Sequence, residues 1–121
     1  MAVAVYSHPS CVLHDAGPGH PEAPARIVAV LEALAGLPGA ALHTATPATP
    51  DQLLPVHTPE HLQTLADAHA AGGRRLDPDT VMSARSWDAM LGATGAVLAA
   101  VEQAHSREGH AFAAVRPPGH H

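Results

Sequence analysis

The chain has 121 residues, of which 46% are hydrophobic and only 2% aromatic, so it fits one domain with a core of alanine, valine and leucine. Its formal net charge is −5, and it contains no run of lysine or arginine. These features argue against nucleic acid or an anionic membrane as the main partner, because both require a basic surface.

The N-terminal third predicts a strand, a polar loop and a helix. Apolar residues 2–6 indicate a short buried strand. The loop from Ser7 to Gly19 carries histidines and an aspartate, and it either lines a site or is a solvated surface. A helix follows, with Pro24 in its first turn and a stop at Gly36. Its apolar positions, spaced as on one helix face, are Ile27, Val30, Leu31 and Leu34.

The middle of the chain predicts a weak strand and a second helix. Residues 40–45 are compatible with a strand, and a proline-containing linker follows them. Asp51 is expected to cap a short turn, whereas Thr58 and Pro59 are expected to begin a helix that ends at Gly72. The apolar side of this helix is expected to contain Leu62, Leu65, Ala66 and His69.

The following segment predicts a loop and the longest helix. Residues 74–82 are expected to form the loop, and Ser83 to cap a helix over roughly residues 84–105. Two glycines, Gly92 and Gly95, either weaken this helix or allow it to pack close to a neighbour. The helix is expected to bury Trp87, Met90, Leu91, Thr94, Leu98 and Val101.

A last strand is predicted at residues 110–115, so strands alternate with helices along the chain. This order predicts an α/β fold in which helices flank a parallel sheet within one domain. Ligands of such folds bind beyond the carboxyl ends of the strands.

The last predicted strand leads into the sequence Arg116-Pro117-Pro118-Gly119-His120-His121. The two prolines stiffen this segment, and Gly119 permits a tight turn or a close approach of the backbone. Two adjacent histidines on such a loop point to a functional site beyond a strand end. The alternative is an unstructured C-terminus or the remnant of a tag.

The remaining histidines are scattered and do not form a metal-binding tract. His57 and His61 are four residues apart, a spacing that can share a metal on a helix. However, His57 precedes the predicted helix cap, and the chain has no His-Glu-x-x-His pattern to support a metal site there.

Compartment signals in the sequence are sparse. The single cysteine, Cys11, excludes an internal disulfide and fits a reducing compartment. The N-terminus lacks the pattern of a signal peptide, and no apolar run approaches the roughly 20 residues of a membrane span. We therefore expect a soluble, cytoplasmic protein.

Three stretches together resemble the N-terminal part of the zinc-dependent histone deacetylase family, which includes bacterial deacetylase-like amidohydrolases and acetylpolyamine amidohydrolases. They are His14-Asp15 with residues 19–26, then residues 53–62, then residues 112–121, and Asp79-Thr80 also fits. The stretches span nearly the whole chain in the expected order, and the Arg-Pro-Pro-Gly-His-His form resembles the bacterial and class II-like branch. The resemblance implies an arginase/deacetylase-like α/β fold, present here as its N-terminal part.

The resemblance also implies a reaction and residues that carry it. Members of this family hydrolyse the N-acetyl group of a lysine or polyamine with a catalytic zinc. By this resemblance His120 and His121 are catalytic: His121 acts as general base and then as general acid, and His120 supports it. Arg26 matches an arginine near an internal channel of relatives, and we expect Arg26 and Gly119 to contact the substrate or channel. An arginine in a first helical turn opposes the helix dipole, so Arg26 either has a partner or is exposed, as a lone arginine usually is. A role at the channel would explain its position.

The family's zinc ligands lie downstream of the tandem histidines, so the resemblance assigns no metal ligand within residues 1–121. We therefore expect an N-terminal portion of one histone deacetylase-like domain, truncated after the tandem histidines and inactive alone. Zinc would be bound by residues of a reading frame that continues into Asp-x-His. The expected substrate is an acetyl-lysine protein or an acetylated small molecule. The alternatives are a small histidine-rich α/β module that binds a metal or partner without catalysis, and a relic that does neither.

Overall fold

A three-stranded parallel sheet forms the centre of the molecule, as the alternation of elements predicted. The computed structural model describes residues 2–106 and 109–119. Strand β1 (Val3–Ser7) is central, β2 (Ala40–Thr44) pairs with one side of it, and the last strand, β5 (His110–Ala113), pairs with the other. In this register Val5 of β1 is aligned with Leu42 and with Phe112.

Helices α1 (Pro24–Ala35) and α2 (Pro59–Ala70) confirm the two helices predicted to begin near Pro24 and Pro59. Each has proline at its first position, and the Thr58 hydroxyl accepts a hydrogen bond from the His61 amide at 3.1 Å. The third helix is α3 (Ser86–Ser106). Within residues 2–106 and 109–119, no helix combines the length and apolar character that crossing a bilayer requires.

Residues 74–82, predicted to be a loop, instead form an antiparallel hairpin of β3 (Arg74–Asp77) and β4 (Thr80–Met82). The Asp77 carboxylate accepts the Asp79 amide at 2.9 Å within the turn. The prediction was wrong because the Asp-Pro-Asp turn signal is strong, whereas the strands beside it are too short to show an alternating pattern.

Two helix starts differ from their predictions. Helix α3 begins at Ser86, later than the predicted start near residue 84, and the Ser83 carbonyl accepts the Ser86 amide at 3.2 Å. A short 3₁₀ helix (Pro50–Leu53) is preceded by Thr49, so Asp51 lies inside the turn that it was expected to cap.

The buried side of α3 is made of small residues, whereas the sequence predicted that its large apolar residues would be buried. Its buried residues are Ser86, Ala89, Gly92, Ala93, Gly95, Ala96 and Ala100. Leu98 and Val101, which were predicted to be buried, are 42% and 60% exposed. A Cβ on Gly95 would lie 2.8 Å from the Ala48 nitrogen, so the helix and the loop after β2 are in close contact. Of the two roles considered for Gly92 and Gly95, close packing is the observed one.

The core lies where these elements meet. It contains one residue from each of β1, the 3₁₀ helix Pro9–Val12, α1, α3 and the segment after β5: Val5, Cys11, Ile27, Ala93 and Ala114. Cys11 is free and fully buried. The segment after β1 and the segment after β5 are therefore packed into the same core.

Candidate functional site

The candidate site lies at the carboxyl edge of the sheet. Because β1 and β5 are parallel, the segments that follow them leave the sheet at the same edge. The Ala114 amide donates to the Tyr6 carbonyl at 2.9 Å, and the chain then diverges from β1. The segment 114–119 thus begins next to the loop that contains the 3₁₀ helix Pro9–Val12.

Arg116 joins these two loops through a buried guanidinium. Its Nε donates to Glu22 Oε1 at 3.0 Å and its Nη2 donates to Glu22 Oε2 at 2.8 Å, which makes a two-pronged ion pair. Its Nη1 donates to the Cys11 carbonyl at 2.8 Å. Only 2% of Arg116 is exposed, so a carboxylate and a backbone carbonyl replace the water that the cation loses.

His14 extends this network from Glu22 to the start of α3. His14 Nε2 lies 3.8 Å from Glu22 Oε2, and His14 Nδ1 lies 2.7 Å from the Ser86 hydroxyl oxygen. Ser86 Oγ also accepts the Ser83 amide at 2.8 Å. The loop before α1, the first turn of α3 and the segment after β5 are therefore connected through polar side chains.

The electrostatic surroundings favour a neutral His14. Burial lowers the pKa of His14, and the nearby positive charge of Arg116 lowers it further, with a smaller contribution from His20. The carboxylates of Glu22 and Asp15 act in the opposite direction without reversing the pKa shift. Glu22 consequently has Arg116 as its cationic partner, and His14 acts as an uncharged neighbour.

Ser86, His14 and Glu22 follow one another in space, the residue types of a nucleophilic serine site. However, Ser86 is only 4% exposed, and its oxygen is engaged by both His14 and Ser83. The 3.8 Å between His14 and Glu22 is longer than a hydrogen bond. This series therefore holds loops together and does not present a nucleophile.

Arg26 is exposed in the first turn of α1, the outcome expected of a lone arginine. Its side chain forms no ion pair with the residues that the structure describes. It lines a groove of about 330 Å³ that also contacts Glu22, Phe112 and Pro118. The groove places Arg26 on the same surface as the segment after β5, and its role at a substrate channel stays a prediction.

The predicted residues of the terminal segment are described only in part. Gly119 has φ of 95°, a conformation that favours glycine, and no heavy atom lies within 4 Å of the position of a Cβ. The positive φ accounts for this glycine, and its predicted contact with substrate is untested. His120 and His121 lie outside the described residues, so their catalytic roles stay predictions.

The residues that the structure describes do not fit a catalytic zinc ion. Across residues 2–106 and 109–119, no three side chains of His, Cys, Asp or Glu lie close enough together to hold a metal. Catalytic zinc sites use three protein ligands and an open position. The rings of His57 and His61 are 5.3 Å apart, and both residues are exposed.

Sequence reasoning included Glu22 and Arg116 in its motifs but gave neither a role, and it missed the contact of His14 with Ser86. One signal was available for Arg116, because a charged residue directly after an apolar strand and before two prolines needs a buried partner. The identity of that partner was not accessible, since Glu22 is 94 positions away in the sequence.

Comparison with known proteins gives a consistent result. A family model described as "Histone deacetylase domain" matches residues 20–121. The uncharacterized protein slr0245 of Synechocystis is 37% identical over 127 residues, an alignment that covers 100% of this chain and 41% of that protein. Histone deacetylase 8 of Arabidopsis thaliana is 41% identical over 80 residues, which cover 64% of this chain and 21% of that protein.

The fold of this chain is also similar to that of a solved structure. The crystal structure of the HDA15 HD domain superposes with a TM-score of 0.83 at 27% identity, covering 100% of this chain and 37% of that one. The chain spans less than half the length of each of these three proteins.

Proposed function

The chain belongs to the histone deacetylase family, and from this premise we propose that it carries the proton-transferring histidines of an enzyme that hydrolyses N-acetyl amides. Its named relatives include deacetylases and a histone deacetylase-like amidohydrolase. The proposed substrates are acetylated amines, either an acetyl-lysine side chain of a protein or an acetylated small molecule such as an acetylpolyamine.

The proposed chemistry assigns one proton path to this chain. His121 takes a proton from the attacking water while the water oxygen bonds to the acetyl carbonyl carbon. It then returns the proton to the amine nitrogen as the C–N bond breaks, giving acetate and a free amine. An imidazole suits both steps because its pKa of about 6.5 allows it to gain and lose a proton near neutral pH. His120 supports His121 by hydrogen bonding and charge.

The observation that supports this proposal most is the anchoring of the segment that precedes the two histidines. That segment leaves the sheet at the edge where α/β proteins bind ligands, and Arg116 ties it to Glu22 and to the Cys11 carbonyl. Proton transfer demands a histidine within hydrogen-bonding reach of the reacting atoms. A stiff, anchored approach to the histidines meets that demand.

Zinc is proposed as the cofactor on family grounds alone, since the described residues do not supply its ligands. We propose in addition that residues 1–121 form the N-terminal portion of a single domain, and that the 121-residue chain does not turn over substrate unaided. A cytoplasmic location is proposed because a buried free thiol suits a reducing compartment. Zinc-dependent turnover by the purified 121-residue chain would contradict the proposal that the chain is inactive unaided.

The first test is to sequence the encoding DNA beyond the His121 codon. The proposal expects the frame to continue into Asp-x-His and then into further Asp and Tyr residues. A stop codon at that point would overturn the enzyme proposal and favour a small binding module.

The second test measures acetate release by the protein that this frame encodes, with an acetyl-lysine peptide and an acetylpolyamine as substrates. Replacing His121 by alanine should lower kcat by about 10²–10⁴-fold, the usual contribution of general acid–base catalysis. His105→Ala is the matched control because His105 is exposed near the end of α3. Equal losses in the two variants would contradict the assignment of His121.

A further inference from the structure

The buried Arg116 guanidinium needs an explanation beyond stability. Its side chain is 3% exposed, and that of its partner Glu22 is 19% exposed. Burying a cation requires both a paired charge and additional hydrogen bonds, and replacing such a pair by well-packed apolar residues is often neutral or stabilising. The best-attested benefit of a buried polar pair is that it selects one arrangement of the chain.

The segment after Arg116 is stiffened by its prolines but offers few hydrogen-bonding groups that could attach it to the rest of the protein. Pro117 and Pro118 have no amide hydrogen to donate, and Gly119 has no heavy atom within 4 Å of the position of a Cβ. Among the described residues, the side-chain hydrogen bonds of segment 116–119 all come from Arg116. The Arg116 side chain therefore ties the start of this segment to Glu22 and to the Cys11 carbonyl.

We propose that Arg116 and Glu22 are positioning residues for the two histidines that follow Gly119. Glu22 accepts from Nε and Nη2 of Arg116, and the Cys11 carbonyl accepts from Nη1, so the planar guanidinium is fixed on two of its edges. This geometry requires the rigid fork of arginine, which the single ammonium of lysine cannot reproduce. Neither residue is placed in contact with substrate, and the inference rests on the proposed function of His120 and His121.

The experiment that tests this inference is nuclear magnetic resonance of the histidine side chains in the protein. The Cε1–H signals of His120 and His121, and their titration with pH, are recorded for wild type, Glu22→Gln and Arg116→Lys. The control is Glu32→Gln, because Glu32 is an exposed glutamate on α1 and its loss removes the same charge. Arg116→Lys keeps the positive charge, so a changed signal in that variant reports altered geometry.

We expect both histidine signals to move in Glu22→Gln and in Arg116→Lys and to stay at their wild-type positions in Glu32→Gln. Wild-type signals and titrations in the two test variants would overturn the proposal. A thermal melt accompanies each spectrum, and loss of the cooperative transition in both test variants would also overturn it, since the pair would then have a structural role.

Turnover provides an independent measurement on the active protein. Misplacing a catalytic group by about 1 Å can cost about 10²-fold in rate, so kcat should fall by about that factor in both variants, with a smaller change in KM. The two proposals can fail separately. If wild type releases no acetate, the proposed function fails, whereas the histidine signals still decide whether Arg116 and Glu22 position them.

Discussion

Replacing Gly95 by alanine tests how closely α3 packs against the loop after β2. A Cβ at this position would lie 2.8 Å from the Ala48 nitrogen and 2.9 Å from the Pro47 carbonyl carbon. These neighbours are backbone atoms, and the Ala48 amide is also held by the Leu91 carbonyl of the same helix at 2.9 Å. The added methyl group therefore cannot be accommodated by rotation of a side chain.

The expected magnitude follows from two opposing effects. Alanine in a helix interior is favoured over glycine by about 1 kcal/mol, whereas overpacking costs about 1–3 kcal/mol. With rigid neighbours the upper part of that range applies, so the free energy of unfolding should fall by about 2 kcal/mol. Small domains have about 5–15 kcal/mol in total, so this is a substantial fraction.

Urea-induced unfolding, followed by circular dichroism at 222 nm, measures the change. The control is Gly36→Ala, because φ of Gly36 is −86° and the nearest atom to its Cβ position is at 3.7 Å, an ordinary contact. That variant should stay within about 0.5 kcal/mol of wild type. If Gly95→Ala proved as stable as wild type or more stable, helix propensity would dominate and the close packing would be refuted.

Three further predictions concern the polar network and a helix cap. Arg116→Met should lower the unfolding free energy by about 3 kcal/mol because it leaves the Glu22 carboxylate without its partner. Adding Glu22→Met should recover part of this loss. Strictly additive changes in a double-mutant cycle measured by denaturant unfolding would contradict this prediction. The unfolding free energy should decrease as pH falls below about 6.5, because the unfolded chain then binds a proton that folded His14, with its lowered pKa, does not. Urea titrations at several pH values should show a weaker decrease in His14→Gln, and an unchanged decrease would assign the effect to other groups. Thr58→Ala should cost about 1 kcal/mol in a thermal or urea melt by removing the hydroxyl that accepts the His61 amide, and an unchanged midpoint would show that the cap is dispensable.

Local signals were sufficient for much of the fold. The prolines at the starts of α1 and α2 and the Thr58 cap of α2 act within a few residues, so they are legible in the sequence. The alternation of strands and helices predicted the parallel sheet, and the combination of motifs identified the family. These features depend on neighbouring residues or on the order of the elements, so they can be predicted without knowing the tertiary contacts.

The features that could not be predicted depend on tertiary contacts. Helix α3 has large apolar residues on one side, yet small residues such as Ala93 and Ala96 are the ones it buries. The sheet and loops approach so closely that size, rather than hydrophobicity, selects the buried side. The Arg116–Glu22 pair joins positions 94 apart in the sequence, and no periodicity reports such a contact. At the candidate site, the roles of His120, His121 and Arg26 remain predictions from resemblance.

The position of β1 in the middle of the sheet has a consequence for how the protein is made. Its register joins Val3 to Ala40 on one side and to His110 on the other. Of the three strands of this sheet, β1 is synthesised first, so it can pair early with β2 but must wait for β5, with one edge open, while helices and a hairpin are synthesised. Pairing between distant segments slows folding, and an unpaired strand edge invites association with other chains. Until β5 is synthesised, the open edge of this central strand is thus a place where the nascent chain needs shielding.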